Sequence, residues 1–206
     1  MIAVRIEKGP TIMLQSGAWF DFGAPASSNF TIEDVAHGLA NICRYAGQCR
    51  RFYSVAEHSI LVSEIAIGFE LEALLHDAAE AFMGDITRPL KQMLPEYKKI
   101  EKDVEEAVLR RFGLTTPLPL EIKDADLRVL AAEQSQIMPK GTDDWARDQK
   151  LVPAPVTVQH LEPEQAKRAF LDRFMRLHPS YPSCQFPDDP RSVWNAATSG
   201  KRGKSA

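Results

Sequence analysis

A succession of stretches in which apolar residues recur at three- and four-residue spacing, each closed by glycine or proline, constrains this chain to a packed set of helices. Thr31-Ile32-Glu33-Asp34 opens the first as a cap with an acidic first turn, and Ile32, Val35, Leu39 and Ile42 carry its apolar face towards Arg44. Ser54-Val55-Ala56-Glu57 has the spacing of a capping box, the serine oxygen accepting from the third helical amide and the glutamate reaching back to the cap amide. The helix it starts carries His58, Ile60, Leu61 and Ile65. Glu70 to Phe82, rich in alanine and leucine, is expected to run as one helix to Gly84. Glu96 to Phe112, Leu120 to Met138 and a segment opened by Glu162-Pro163-Glu164 and reaching about Leu177 complete the set. Between Met138 and Val158 proline breaks the pattern, and the stretch reads as irregular.

The ends differ in kind. From Ala3 to Phe22, β-branched and aromatic residues broken by Gly9-Pro10 and Ser16-Gly17 suit a short hairpin, read here as a flap outside the core. Pro179, Pro182, Pro187 and Pro190 precede a basic, low-complexity end from Ser199 to Ala206, expected to be mobile. The expected fold class is therefore mostly α: one helical-bundle domain over 1–178 with a hairpin flap over 1–26, then a tail over 179–206.

Composition narrows the function classes. At 206 residues and 44% hydrophobic content the chain can bury a core without metals or disulfides as staples. Twenty-five basic against 28 acidic residues, a net charge of -3, offer no bulk attraction to nucleic acid or anionic lipid, so phosphates would be bound locally. Cys43, Cys49 and Cys184 are odd in number and lack C-x-x-C spacing, which argues against a disulfide framework and a zinc knuckle. The first residues lack the apolar run of a signal peptide, and no stretch approaches the roughly 18 apolar residues of a membrane span. The expectation is a cytoplasmic protein with reduced thiols and no membrane partner.

The chemistry concentrates in four residues. His58 lies on one expected helix, His76 and Asp77 on the next and Asp126 on a later one, so a bundle can bring two imidazoles and two carboxylates face to face. That set suits one divalent ion of the zinc, manganese, iron or cobalt kind with positions left open for water or substrate. Glu80, at i+4 from His76, is placed to take a proton from an attacking water, and Asp85, just past Gly84, to orient that water or handle the leaving oxygen. Because these carboxylates repel a phosphate, cations are needed nearby, and Arg44, Arg88 and Lys91 are the candidates. Trp19 on the hairpin is a candidate to stack on a ring. His37 reads as a packed histidine, and His160 and His178 receive no role.

The order His58, then His76-Asp77, then Asp126 resembles the HD-domain metal-dependent phosphohydrolase superfamily. His76-Asp77-Ala78-Ala79-Glu80 with Gly84-Asp85-Ile86-Thr87-Arg88-Pro89-Leu90-Lys91 looks like its bacterial 5'-deoxynucleotidase branch. Ser16-Gly17-Ala18-Trp19-Phe20-Asp21, Cys43-Arg44-Tyr45 and Phe52-Tyr53-Ser54-Val55-Ala56-Glu57-His58 are similar to phage-type hydrolases that include dATP triphosphohydrolases. The resemblance implies that His58, His76, Asp77 and Asp126 ligate one divalent metal (manganese, cobalt, zinc, iron or magnesium), that Glu80 activates water and that Asp85 assists. It further implies phosphate binding by Arg44 and Lys91, and a sugar-sensing aromatic at Tyr45, where the nucleotidases carry tryptophan. The implied protein is a homodimer acting on deoxyribonucleotides, as a 5'-nucleotidase or a dNTP triphosphohydrolase. A non-catalytic nucleotide sensor and a hydrolase of another phosphate ester are the alternatives.

Overall fold

The computed structural model describes residues 9–181. The amino-terminal part of the expected hairpin, Cys184 and the chain beyond residue 181 lie outside the described residues. The chain is mostly α, with nine helices and one two-stranded antiparallel sheet among the described residues. No helix among them is long and apolar enough to cross a membrane.

Two strands, β1 (Thr11–Met13) and β2 (Trp19–Asp21), form the hairpin, with Ile12 opposite Phe20. Side chains alternate across a strand, so Phe20 turns inward while Trp19 and Asp21 turn away. Phe20 is fully buried and stacks on Phe82 at 4.1 Å between ring centres, with Phe30 against both. The hairpin is thus an anchored part of the main core and not the flap that its exposed position in sequence suggests. Its turn is held as well, the Ser16 amide donating to Asp34 Oδ1 at 3.2 Å.

Helix α1 (Ile32–Asn41) begins at the expected Thr31 cap, which proves reciprocal with Asp34. It ends at Asn41, so Arg44 lies beyond the helix, in extended backbone before a single 3-10 turn. Helix α2 (Val55–Ile65) is the axis of the molecule, packed against α1 and against three helices met later in the chain. Only half of its expected capping box forms. Ser54 Oγ accepts from the Glu57 amide at 3.1 Å, but the Glu57 carboxylate instead accepts from the amides of Gln159, His160 and Leu161. A buried carboxylate gains more from three amide donors than from one.

The helix expected over Glu70 to Phe82 is two short ones, α3 (Glu70–Leu74) and α4 (Glu80–Met83). Between them the amides of Ala78, Glu80, Ala81 and Phe82 bond three residues back, a tight 3-10-like winding through His76 and Asp77. Such winding eclipses residues i and i+3, so Glu80 shares a face with Asp77 rather than with His76. Gly84, at φ +81, ends the winding in a conformation that side chains resist.

Helices α5 (Arg88–Lys91), α6 (Pro95–Arg111), α7 (Leu120–Ile137), α8 (Asp144–Asp148) and α9 (Pro163–Leu177) follow. The stretch read as irregular contains α8 and then an extended strap. The Ala154 amide donates to the Arg128 carbonyl at 2.9 Å and the Val158 amide to Gln136 Oε1 at 3.0 Å, laying the strap along α7. Phe20, Phe30, Leu74, Phe82, Phe112, Phe170 and Phe174 centre one apolar core, and Tyr53, Val62, Ile122, Val129 and Ile137 a second.

Candidate metal centre

Both imidazoles are oriented by what their far nitrogens touch. His58, fully buried on α2, has Nδ1 2.5 Å from Glu133 Oε1, and His76 has Nδ1 2.7 Å from the Ala73 carbonyl. Each Nδ1 therefore donates, and each Nε2 is the nitrogen turned towards the centre. The two Nε2 atoms are buried without a hydrogen-bond partner and converge on the same carboxylates. Asp126 Oδ1, from α7, lies 3.2 Å from His58 Nε2 and 4.0 Å from His76 Nε2. Asp77 Oδ2 lies 3.5 Å and 3.2 Å from the same two atoms. The donor atoms of His58, His76 and Asp126 fall within 4.8 Å of one another, a cluster able to hold a metal ion. Two neutral imidazole nitrogens with carboxylate oxygens form a donor set that suits a divalent cation, so the residues fit the group.

Protons and charges in the centre are strongly coupled to one another. Burial works against a charged His76, but the Asp77 carboxylate outweighs it and raises the imidazole to about 9. Burial likewise opposes ionisation of Asp77, and His76, His58 and Arg44 reverse it, holding the carboxyl far below the usual range. A cation in this position takes over from those protons as the balancing charge.

Glu133 is the residue that the sequence reading missed. It is fully buried on α7, two turns beyond Asp126. Its Oε1 accepts from Tyr53 at 2.5 Å as well as from His58, and its Oε2 accepts from Tyr45 at 2.9 Å. Arg44 Nε lies 3.5 Å from Oε2, an ion pair rather than a hydrogen bond. Burial would raise this carboxyl, but the His58 and Arg44 charges pull it down to about 2. The available signal was its register, since Glu133 stands four residues after the buried Val129 on the apolar stripe of its helix.

Asp77 and Asp126 of the centre line a cavity of about 740 Å³, within the range of small-molecule sites. Arg44, Tyr45, Asp77, Glu80, Asp85, Arg88, Lys91 and Asp126 all line it, and Trp19 does not. The hairpin register explains the difference, because Trp19 sits on the outward face of β2, 41% exposed. Tyr45 reaches the cavity from a left-handed backbone, φ +58, with its hydroxyl committed to Glu133. Arg44 NH1 lies 3.5 Å from Asp77 Oδ2, and its guanidinium sits 5.5 Å from the centre of the Tyr45 ring. Lys91 Nζ lies 3.6 Å from Glu80 Oε1 and also bonds Glu101 on α6.

Burial first, then the charges of Asp77 and Asp85, raise the Glu80 carboxyl well above its ordinary value. The lining carries four carboxylates (Asp77, Glu80, Asp85, Asp126) and four cations (Arg44, Arg88, Lys91 and the unanticipated Lys123). A bound divalent cation tips that balance positive, which suits an anionic substrate.

No family model matches the chain. It is 38% identical over 167 residues to the Escherichia coli protein YfdR, covering 79% of this chain and 92% of YfdR. It is 42% identical over 121 residues to the Rhodobacter capsulatus protein RCAP_rcc00048, covering 53% of this chain and 62% of that one. Both relatives are described only as uncharacterized proteins.

Proposed function

We propose that this chain, which belongs to the family of the Escherichia coli protein YfdR, is a metal-dependent phosphohydrolase of the HD-domain kind that acts on deoxyribonucleotides. The observation that carries this reading is the pair of buried, unpartnered Nε2 atoms of His58 and His76, which converge on Asp77 and Asp126 where those two carboxylates line a cavity that also carries four cations. A metal held by these four residues supplies Lewis-acid polarisation of a phosphoryl oxygen.

The remaining work falls to side chains. Glu80, its basicity raised by burial and by two neighbouring carboxylates, takes the proton from the attacking water. Asp85 orients that water. Arg44, 9% exposed and backed by Glu133, presents a fixed guanidinium to a phosphate, and Lys91, Arg88 and Lys123 offset the charge spread over the transferring group. Tyr45, fixed by its bond to Glu133, packs beside the sugar. In the same reading the protein works in the cytoplasm as a homodimer, the commonest symmetric assembly.

The test strips the protein of metal, reloads it with manganese, cobalt, zinc, iron or magnesium, and supplies dNMPs, dNTPs and their ribose counterparts, with products resolved by chromatography. Nucleoside with free phosphate identifies a 5'-nucleotidase, and nucleoside with intact triphosphate a triphosphohydrolase. Absence of turnover with every metal overturns the proposal.

A further inference from the structure

The wall of the cavity built by α7 and α8 has a polarity of its own. Helix α7 contributes Asp126 at the centre and then Leu127, Leu130 and Gln134 to the lining, and α8 contributes Trp145. These α7 residues fall at helical spacing on one face, so the wall runs straight away from the ligands. Gln134 is eight residues beyond Asp126, roughly 12 Å along the helix at about 1.5 Å per residue. That is close to the reach of one nucleotide from its 5'-phosphorus to the far edge of its base.

Trp145 Nε1 donates to Gln134 Oε1 at 2.6 Å. An indole nitrogen only donates, so the amide atom facing it must be the oxygen. The Gln134 amide is thereby locked, and its Nε2, which has no hydrogen-bond partner among the described residues, remains as a pure donor at the end of the cavity. Beside it stand the half-buried Trp145 ring and the apolar Leu127 and Leu130, surfaces suited to a flat heterocycle.

We infer that Gln134, held by Trp145, is a base-selecting residue whose amide N–H groups favour a nucleobase with a carbonyl oxygen at purine C6 or pyrimidine C4 (guanine or thymine) over one with an exocyclic amine at that position (adenine or cytosine). The inference rests on the nucleotide reading above and goes beyond it by assigning base choice to α7 and α8. Carbonyl oxygens accept where amino groups donate, so an amine placed against Nε2 meets donor with donor. A buried donor left unmatched costs about tenfold or more in affinity.

Two measurements on the full-length, manganese-loaded protein test this. Calorimetric Kd values for dGMP, dTMP, dAMP and dCMP are taken in the Glu80→Gln background, which suppresses turnover without touching α7 or α8. The keto-bearing pair is expected to bind about tenfold more tightly. Adding Gln134→Glu, whose carboxylate still accepts from Trp145 but offers only acceptors to the base, should reverse the order. Trp145→Phe, which releases the amide to turn either way, should flatten it. Equal binding of all four nucleotides, no binding of any, or an order unchanged by Gln134→Glu in a folded variant overturns the inference. Wild-type turnover is assayed separately. Hydrolysis without base preference removes the base-selecting role and leaves the phosphohydrolase reading, whereas base-ranked binding without hydrolysis under any metal does the reverse.

Discussion

Glu133 shows how one buried carboxylate can organise a site it does not line. It accepts from His58, Tyr53 and Tyr45 and pairs with Arg44, so it sets the tautomer of the His58 imidazole and the place of the Arg44 guanidinium together. Glu133→Gln removes the charge and turns N–H donors towards groups that themselves donate. We expect metal affinity to fall about 10–100-fold, the usual loss when the partner of a ligating histidine is removed, read by calorimetric titration with manganese. Glu80 behaves in the opposite sense. Unfolded, it ionises at its ordinary value of 4.5, whereas burial, Asp77 and Asp85 raise it in the folded protein. Its titration therefore costs stability as pH rises from about 4.5 towards the folded value. In EDTA, Glu80→Gln should raise Tm at neutral pH by an increment that disappears near pH 4, while abolishing turnover in the metal-loaded protein. An increment independent of pH would show that the carboxyl is not strained. Among these residues, those with chain-local signatures were legible: the His76-Asp77 pair, Glu80 and Asp85 are close in sequence. Glu133 was not, because its register on the apolar stripe of α7 marks only its burial, while the partners that give it a role lie 75 to 88 residues away.

At the scale of elements, the candidate site depends on close approach between α1 and α4. A Cβ on Gly38 would sit 2.5 Å from the Ala81 carbonyl oxygen and 2.8 Å from its Cβ. Backbone on the far side leaves no side chain to swing away, so Gly38→Ala must push α4 outward. We expect a loss of about 1–3 kcal/mol by denaturant titration, with kcat falling more than KM because Glu80 stands next to Ala81. The hairpin offers a second element-level test. Phe20→Ala should cost about 3–5 kcal/mol as a large-to-small core change; a flap resting on the surface would tolerate it with little change in the midpoint. Helix boundaries outside the site agreed well with apolar spacing, as α6 and α9 show. The segment 75–79 departed from it: alanine and leucine favour an α-helix there, and the packing overrides that propensity with tighter turns that bring His76 and Asp77 to face His58 and Asp126.

For the whole molecule, α2, the 75–79 winding and α7 meet only through long-range packing, and the metal centre is the point they share. A cation that binds the folded chain and not the unfolded one stabilises it by mass action, about 2.7 kcal/mol at one hundred times Kd. For a chain of this size that corresponds to roughly 5–10 °C in Tm. Addition of manganese to stripped protein should give such a shift in thermal melts. Asp77→Ala and Asp126→Ala should lose it, and Glu80→Gln should keep it. A full shift in the Asp126 variant would place the ion elsewhere.

Sequence alone determined the helical class, most helix limits, and the identity of the residues that converge on the centre, because periodicity and short motifs are encoded locally. It left open which face each element turns inward, and here only the tertiary structure decided. Trp19 and Phe20 are neighbours in the chain, yet one is 41% exposed and the other fully buried, since the strand's pleat sends them to opposite sides. Glu57, placed by its spacing to cap its own helix, instead clasps a strap more than one hundred residues away. Gln134 and Trp145 fix the direction of the Gln134 amide only by meeting on one wall of the cavity. Each case turns on a buried polar or aromatic group finding its partner through space, and such pairing is a property of the packed whole that no window of sequence contains.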